Sequence, residues 1–166
     1  MVEIVTDRLR WRRADPADLD GLHALVSDFE VVKNTATWPS PPDRRFTESR
    51  CVPFDLHKGL IGHVFCEDVL VGAIGVSQGA TGADMGYMFG REHWGRGYAT
   101  EIGRALIDAA FARYDWPAIS ACVFDDNPTS GRVLAKLGFT ETGHCAGPCA
   151  ARGRDLAMRT YRLDRR

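Results

Sequence analysis

The run Trp94-Gly95-Arg96-Gly97-Tyr98-Ala99-Thr100 is the stretch of this sequence best suited to hold an anion. Glycines at 95 and 97 let the backbone come close to a ligand. The apolar spacing that follows predicts a helix, whose first N–H groups lack partners. Such a helix start, helped by its dipole, favours negative charge, and a diphosphate is the natural occupant. A plain glycine-rich turn would have the same spacing, because a short glycine pattern carries little information alone. The run His144-Cys145-Ala146-Gly147-Pro148-Cys149 suggests a metal or redox site, but its Cys-x3-Cys spacing has no second ligand pair. A structural metal wants four ligands, so no metal is expected. Gly147-Pro148 reads as a turn with the cysteines as small apolar fillers beside it. Glu67 and Asp68 read as solvated charges at a hairpin tip, and His93 as structural or exposed.

Positioning these residues requires an alternation of strands and helices. A first strand is expected over 6–13, with Leu9 and Trp11 on one face and Arg8, Arg10 and Arg12 on the other. Asp15 then caps a helix, with Pro16 in its first turn and Asp18 three residues after the cap. Leu19, Leu22, Val26 and Phe29 give that helix an apolar stripe. The prolines of 38–43 exclude regular structure and predict a loop before a short helix. Strands follow over 60–66 and 70–77 with Glu67-Asp68 as their turn, then another over 84–89. A helix over 99–113 turns Ile102, Leu106, Ala109 and Ala110 to the sheet. A strand over 118–124, a short helix capped by Asn127 and ending at Gly138, and strands over 139–143 and 156–163 complete the chain. This is an α+β fold with a mixed, mostly antiparallel central sheet flanked by helices, one domain over 1–166 with no linker.

Composition narrows the class. The 166 residues suffice to bury a core without staples, and 45% apolar with 26% charged residues is ordinary for a soluble globular protein. A net charge of -1 gives no reason to expect nucleic acid or a membrane as partner. Arginines at 152, 154, 159, 162, 165 and 166 make the last stretch basic, which reads mainly as a solvated strand. No apolar run approaches the roughly 20 residues of a membrane span. The first nine residues do not have the form of a signal peptide. Five scattered cysteines fit a reducing cytoplasm better than a secreted disulfide framework.

Three segments together carry a resemblance: Thr6-Asp7-Arg8-Leu9 with Arg12 behind it, the run from Asp84 to Glu101, and Asn127-Pro128-Thr129-Ser130 continuing to Lys136-Leu137-Gly138-Phe139. In this order they resemble the GNAT acetyltransferase superfamily, nearest its RimJ/RimL-like branch, over nearly the whole chain. The resemblance implies acetyl-CoA as cosubstrate, an amine as acceptor and, as a further partner, a second copy of the chain in a homodimer. It implies a diphosphate loop at Trp94, Gly95, Arg96, Gly97, Tyr98 and Ala99, with Trp94 where Gln or Arg is usual and Thr100 adding a hydroxyl. It implies a strand splayed from its neighbour, setting Phe89, Gly90 and Arg91 beside the pantetheine arm. A main-chain N–H near Met88 to Phe89 would then polarise the thioester carbonyl. Asn127 and Ser130 resemble the pair that contacts the cofactor from the following helix. Many members protonate the leaving thiolate with a Tyr where this chain has Leu134. A thiol of pKa about 8.5 leaves as thiolate at pH 7 for only about 2 kcal/mol, so Ser130 donating a hydrogen bond could suffice. The amine must attack neutral, and Asp84, where family members place a carboxylate, is the first candidate for its base or anchor.

The acceptor stays open among protein N-termini, amino acids, aminoglycosides and polyamines. Trp38, Phe46 and the proline-rich loop either wall its pocket or serve as core or lid. Two other readings compete. An acyl-CoA-binding sensor without turnover would suit the missing Tyr, although aminolysis relies largely on positioning. A dinucleotide-dependent oxidoreductase would need a third glycine at Thr100 and further strand–helix repeats.

Overall fold

The expected strand over 6–13 is in fact two, Glu3–Val5 (β1) and Arg10–Arg13 (β2), paired antiparallel in the computed structural model, which describes residues 2–166. Residues 6–9 turn between them, closed by the Thr6 N–H donating to the Leu9 carbonyl at 2.8 Å. The turn forms because Thr6 and Arg8 have a distant partner, Glu101, that no local pattern reveals. Leu9 and Trp11 are buried as expected, and the Trp11 indole N–H donates to the Ile74 carbonyl.

Asp15 starts the next element as a reciprocal cap: its carboxylate accepts from the Ala17 N–H, and its own N–H donates to Asp18. The helix Leu19–Val26 (α1) follows. It buries Leu22, Leu25 and Val26, but Phe29 does not continue the stripe. The Asp28 side chain caps a new turn, Phe29–Val32 (α2), which leaves Phe29 exposed. After the proline loop, Asp43 caps Arg44–Ser49 (α3).

Three strands then run as a meander: Gly59–Cys66 (β3), Val69–Gly79 (β4) and Gly82–Phe89 (β5). Glu67 holds a left-handed φ of 54° in the first of their turns. The helix Tyr98–Arg113 (α4) packs Ile102, Leu106 and Ala110 on the sheet; Ala109 is only partly buried against it. Next come Ala118–Phe124 (β6) and Pro128–Lys136 (α5). Asn127 occupies the cap position of α5, but its side chain makes no capping bond.

The last hairpin, Thr140–Cys149 (β7) and Arg154–Asp164 (β8), corrects a further expectation. Gly147-Pro148 is strand, with Pro148 opposite Asp155, and the turn lies beyond it at Ala150–Arg152 with Gly153 at φ 68°. β7 is an edge strand, so the missing proline N–H need cost no ladder bond. Cys149 is buried as a filler should be, whereas Cys145 is exposed.

The strands form one sheet in the order β1-β2-β3-β4-β5-β6-β8-β7. Every pairing is antiparallel except β5 with β6. One face carries α4 and α5 over a core of Ile74, Met85, Ile119 and Ala121. The other carries α1 and α2 over Met88.

Candidate active site

Among the described residues the only parallel pairing is also the shortest. β5 and β6 meet at Ala83↔Ile119 and Asp84↔Ser120 and then part. β5 stays paired with β4 as far as Gly72↔Phe89, and β6 with β8 as far as Phe124↔Met158. A wedge therefore opens after Asp84. The Gly90 N–H donates to the Val71 carbonyl at 2.9 Å. Strand alternation then turns the main-chain groups of Tyr87 and Phe89 into the wedge and those of Met88 towards β4. The donor expected near 88–89 is thus the Phe89 N–H. The Met88 side chain is buried against the helices on the opposite side. The Phe89 carbonyl accepts from the Trp94 indole N–H at 2.8 Å, which holds this half-exposed ring beside the wedge.

At the wide end the chain makes a short 3-10 turn, Arg91–His93, and enters the glycine run. Gly95 and Gly97 have φ of 75° and 77°, a region open to glycine and strained for other residues. A Cβ at 95 would meet nothing within 4 Å, and one at 97 would find Arg8 Nη2 at 3.6 Å. The first helical bond of α4 is from the Glu101 N–H to the Gly97 carbonyl, which leaves the N–H groups of Tyr98, Ala99 and Thr100 outside the helical ladder. Gly97 offers no side chain to cap them. The result is a set of donors outside the ladder at the positive end of a 16-residue helix, directly after the exposed residues Gly95, Arg96 and Gly97.

Neighbouring charges are arranged around this end. Partial burial would push the Glu101 carboxyl up, but bonds from Thr6 Oγ1, the Arg8 N–H and the Arg8 guanidinium hold it below its ordinary value. Arg8 thereby balances a negative charge one turn from the donor set, and its guanidinium lies over the Tyr98 ring. Arg96 is exposed. The Arg91 guanidinium, expected beside a ligand, forms a bidentate pair with Asp28 and ties α2 to the loop. That pair borders a cavity of about 330 Å³ lined by Gly21, Leu25, Leu70 and Gly90. Neither Asp84 nor Ser130 reaches it, so cavity size alone does not mark the site. His93 stacks on Tyr98, its Nδ1 buried without a partner among the described residues.

Asp84 sits at the vertex of the wedge. It shares a face with Met88, the face that carries α1, although no helix covers it there. Its side chain reaches solvent, yet desolvation by the surrounding sheet lifts its pKa to about 6. Cys122 lies on the same face beyond Ser120. Burial, with Cys145 and Asp84 adding, pushes its thiol up to about 11, which leaves little nucleophilic thiolate at neutral pH. Glu67 and Asp68 stay at their hairpin tip, away from this vertex. Over the wide end, residues 33–36 dock on the turn after β7: the Ala150 N–H donates to the Ala36 carbonyl, and Arg152 to the Lys33 carbonyl and Asp126. Trp38 and Phe46 pack edge to face at 5.1 Å, with Trp38 also against the small core under α1.

Ser130, in the first turn of α5, has a partner that sequence reading missed. Tyr87 OH lies 2.6 Å from Ser130 Oγ and donates to the Ser130 carbonyl at 3.3 Å. Desolvation raises the Tyr87 phenol to about 12, with the Ser130 bond opposing and Tyr161 adding. Tyr161 stands nearby, its OH 2.7 Å from where a Cβ on Gly131 would lie. The available signal was strand alternation, which sets Tyr87 on the α5 side two residues beyond Met85. Asn127 is half-buried at the same helix end.

Comparison with known proteins bears on the family and the fold. The family model described as "Acetyltransferase (GNAT) domain" matches residues 8–140. The chain is 36% identical over 146 residues to the N-acetyltransferase YoaA of Bacillus subtilis (strain 168), covering 83% of this chain and 82% of YoaA. It is 29% identical over 174 residues to the N-acetyltransferase p20 of Bacillus licheniformis, covering 100% of this chain and 98% of p20. Among solved structures, RimL, a ribosomal L7/L12 alpha-N-protein acetyltransferase in complex with coenzyme A, is similar with a TM-score of 0.85 at 20% identity over 98% of each chain. At that identity the likeness speaks for the fold.

Proposed function

The chain belongs to the GNAT acetyltransferase family and is an acetyl-CoA-dependent acyltransferase; from that premise we propose that it moves the acetyl group by direct transfer to a primary amine, on a protein N-terminus or a small molecule. The observation that carries this reading is the wedge beside the uncapped start of α4. Its parts fit the cosubstrate. Gly95, Arg96 and Gly97, with the N–H groups of Tyr98, Ala99 and Thr100, form the donor set for a diphosphate. Tyr87 and Phe89 offer main-chain groups to the pantetheine arm, with Gly90 and Arg91 at the mouth and Asn127 and Ser130 opposite. From Met85 to Phe89 the wall runs roughly 13 Å at about 3.3 Å per residue, room for an extended arm.

Bound acetyl-CoA supplies the activated thioester. The Phe89 N–H polarises its carbonyl. Asp84, directly or through a water it holds, takes the proton that the attacking amine gives up. A pKa of about 6 keeps this carboxylate ionised at pH 7 and more basic than a free one. The Ser130 hydroxyl donates a hydrogen bond to the leaving sulfur, a role that Leu134 cannot fill. RimL, which acts on a ribosomal protein N-terminus, supports an α-amine as acceptor.

The test is calorimetric titration with acetyl-CoA, with NAD as control ligand and Gly97→Trp as the variant. Saturable binding that the Trp abolishes supports the site; preference for NAD removes the assignment. Acetylation of N-terminal peptides and of spermidine, followed by thiol release, then separates the acceptor classes, and sedimentation tests the homodimer. Binding of acetyl-CoA with no product from either class would favour the sensor reading.

A further inference from the structure

Within the wedge, one side-chain bond joins walls that the backbone has let separate. Tyr87 rises from β5 and Ser130 from the first turn of α5, the helix that follows β6, and their oxygens lie 2.6 Å apart. A serine hydroxyl has one proton and rotates freely, so its direction is set by its neighbours. If Ser130 gave its proton to Tyr87, none would be left for a ligand in the wedge. The phenol is the stronger acid of the two and is already placed as a donor to the Ser130 carbonyl. Its one proton is assigned to the nearer acceptor, Ser130 Oγ at 2.6 Å, with the carbonyl at 3.3 Å as a weaker second acceptor of the same proton, which leaves the serine proton free.

We propose that Tyr87 is a positioning residue for transfer, its phenol donating to Ser130 Oγ so that the Ser130 hydroxyl is aimed into the wedge at the leaving sulfur. The inference rests on the reading of Ser130 given above. The electron count is simple. The amine lone pair makes the new C–N bond, the C–S pair leaves on sulfur, and the amine proton goes to Asp84. Neither hydroxyl loses its proton. A phenol near 12 does not give up its proton to a thiolate whose acid is about 8.5. Its contribution is orientation and polarisation of one hydrogen bond, which strengthens as charge gathers on sulfur. Gly131 belongs to the same arrangement, since a Cβ there would lie 2.7 Å from the Tyr161 hydroxyl, so that either this phenol or the turn that carries Ser130 must shift.

The experiment compares Tyr87→Phe, Ser130→Ala, the double variant and Ser130→Thr in kcat by thiol release, with acetyl-CoA affinity by calorimetry. A neutral hydrogen bond of about 1 kcal/mol predicts a roughly fivefold fall in kcat for Tyr87→Phe, at unchanged affinity. Ser130→Ala falls at least as far, the double variant falls no further than Ser130→Ala, and Ser130→Thr keeps most of the rate. Wild-type kcat in Tyr87→Phe, or effects that multiply in the double variant, would overturn the positioning role while leaving Ser130 as donor. Wild-type kcat in Ser130→Ala would remove the donor role and this inference with it. Should Tyr87→Phe lose the fold, Ser130→Cys reads the same bond. Its weaker donor must lower kcat without changing affinity, and a full rate would again overturn the proposal.

Discussion

Replacing Asp84 with Asn removes one titration and leaves another, so the pH profile of the Asn variant separates the carboxylate from its substrate. With an α-amino acceptor of pKa about 7.7–8.0, neutral amine falls tenfold per pH unit in the acid range, giving log kcat/KM a slope of one. If the proton must also find an ionised Asp84 of pKa about 6, the slope becomes two below that point. At pH 7 about nine tenths of the carboxylate is ionised and at pH 5 a little under one tenth, a further loss of about tenfold across that range. Asp84→Asn should lower kcat/KM at pH 7.5 by roughly 100-fold, the lower end of general-base effects, and its profile should keep slope one throughout. The assay is initial-rate thiol release from pH 5 to 9 at fixed ionic strength. A wild-type slope of one below pH 6, or a second unit of slope that persists in Asp84→Asn, refutes the assignment. Stability supplies an independent sign. The folded protein raises this carboxyl from 3.8 to about 6, so it favours the protonated form and loses stability as pH rises from about 4 to 6. Asp84→Asn should therefore melt higher than wild type at pH 7.5 while turning over more slowly.

Intrinsic fluorescence should report the cosubstrate, because the half-exposed Trp94 ring is pinned to the Phe89 carbonyl at the wedge wall. Acetyl-CoA titration should change the emission, and Trp94→Phe should remove most of that change; an undiminished signal would place the ligand elsewhere. Asp18→Ala should cost about 3–5 kcal/mol in urea unfolding, since it leaves the buried His63 and the Arg12 guanidinium unpaired. Burial would raise the Asp18 carboxyl, but His63 and Arg12 hold it well below its ordinary 3.8. Its stabilisation is therefore present above pH 4 and lost as pH falls further, a loss that Asp18→Ala should not show. Gly131→Ala should lower kcat more than acetyl-CoA affinity, because the new methyl group meets the Tyr161 hydroxyl at 2.7 Å beside Ser130; wild-type kcat would show that the helix turn tolerates the shift.

What the sequence alone determined lies in short-range chemistry. Asp15, Asp28 and Asp43 cap turns through their own neighbours' N–H groups. The left-handed φ of Gly95 and Gly97 suits glycine, and α4 begins where its apolar spacing begins. The β3–β4–β5 meander follows from alternation and turns. Such features depend on a few adjacent residues, so the glycine turn and the helix behind it were legible before any fold was known. Two local readings nonetheless failed because a distant partner decided them: Glu101 gathers residues 6–9 into a turn, and β8 draws Pro148 into a strand.

The surroundings of the residues proposed for catalysis belong wholly to tertiary structure. Asp84 is a carboxylate of raised pKa only because β5 meets β6 beside it and the sheet takes it partly out of water. Tyr87 is an unremarked aromatic residue in the sequence, and it meets Ser130 only because those strands part after one short parallel ladder. A parallel pairing joins segments far apart in the chain through a crossover, here α4, so no local pattern of residues fixes where it ends. The wedge, the hydroxyl pair across it and the carboxylate at its vertex are consequences of where that pairing stops.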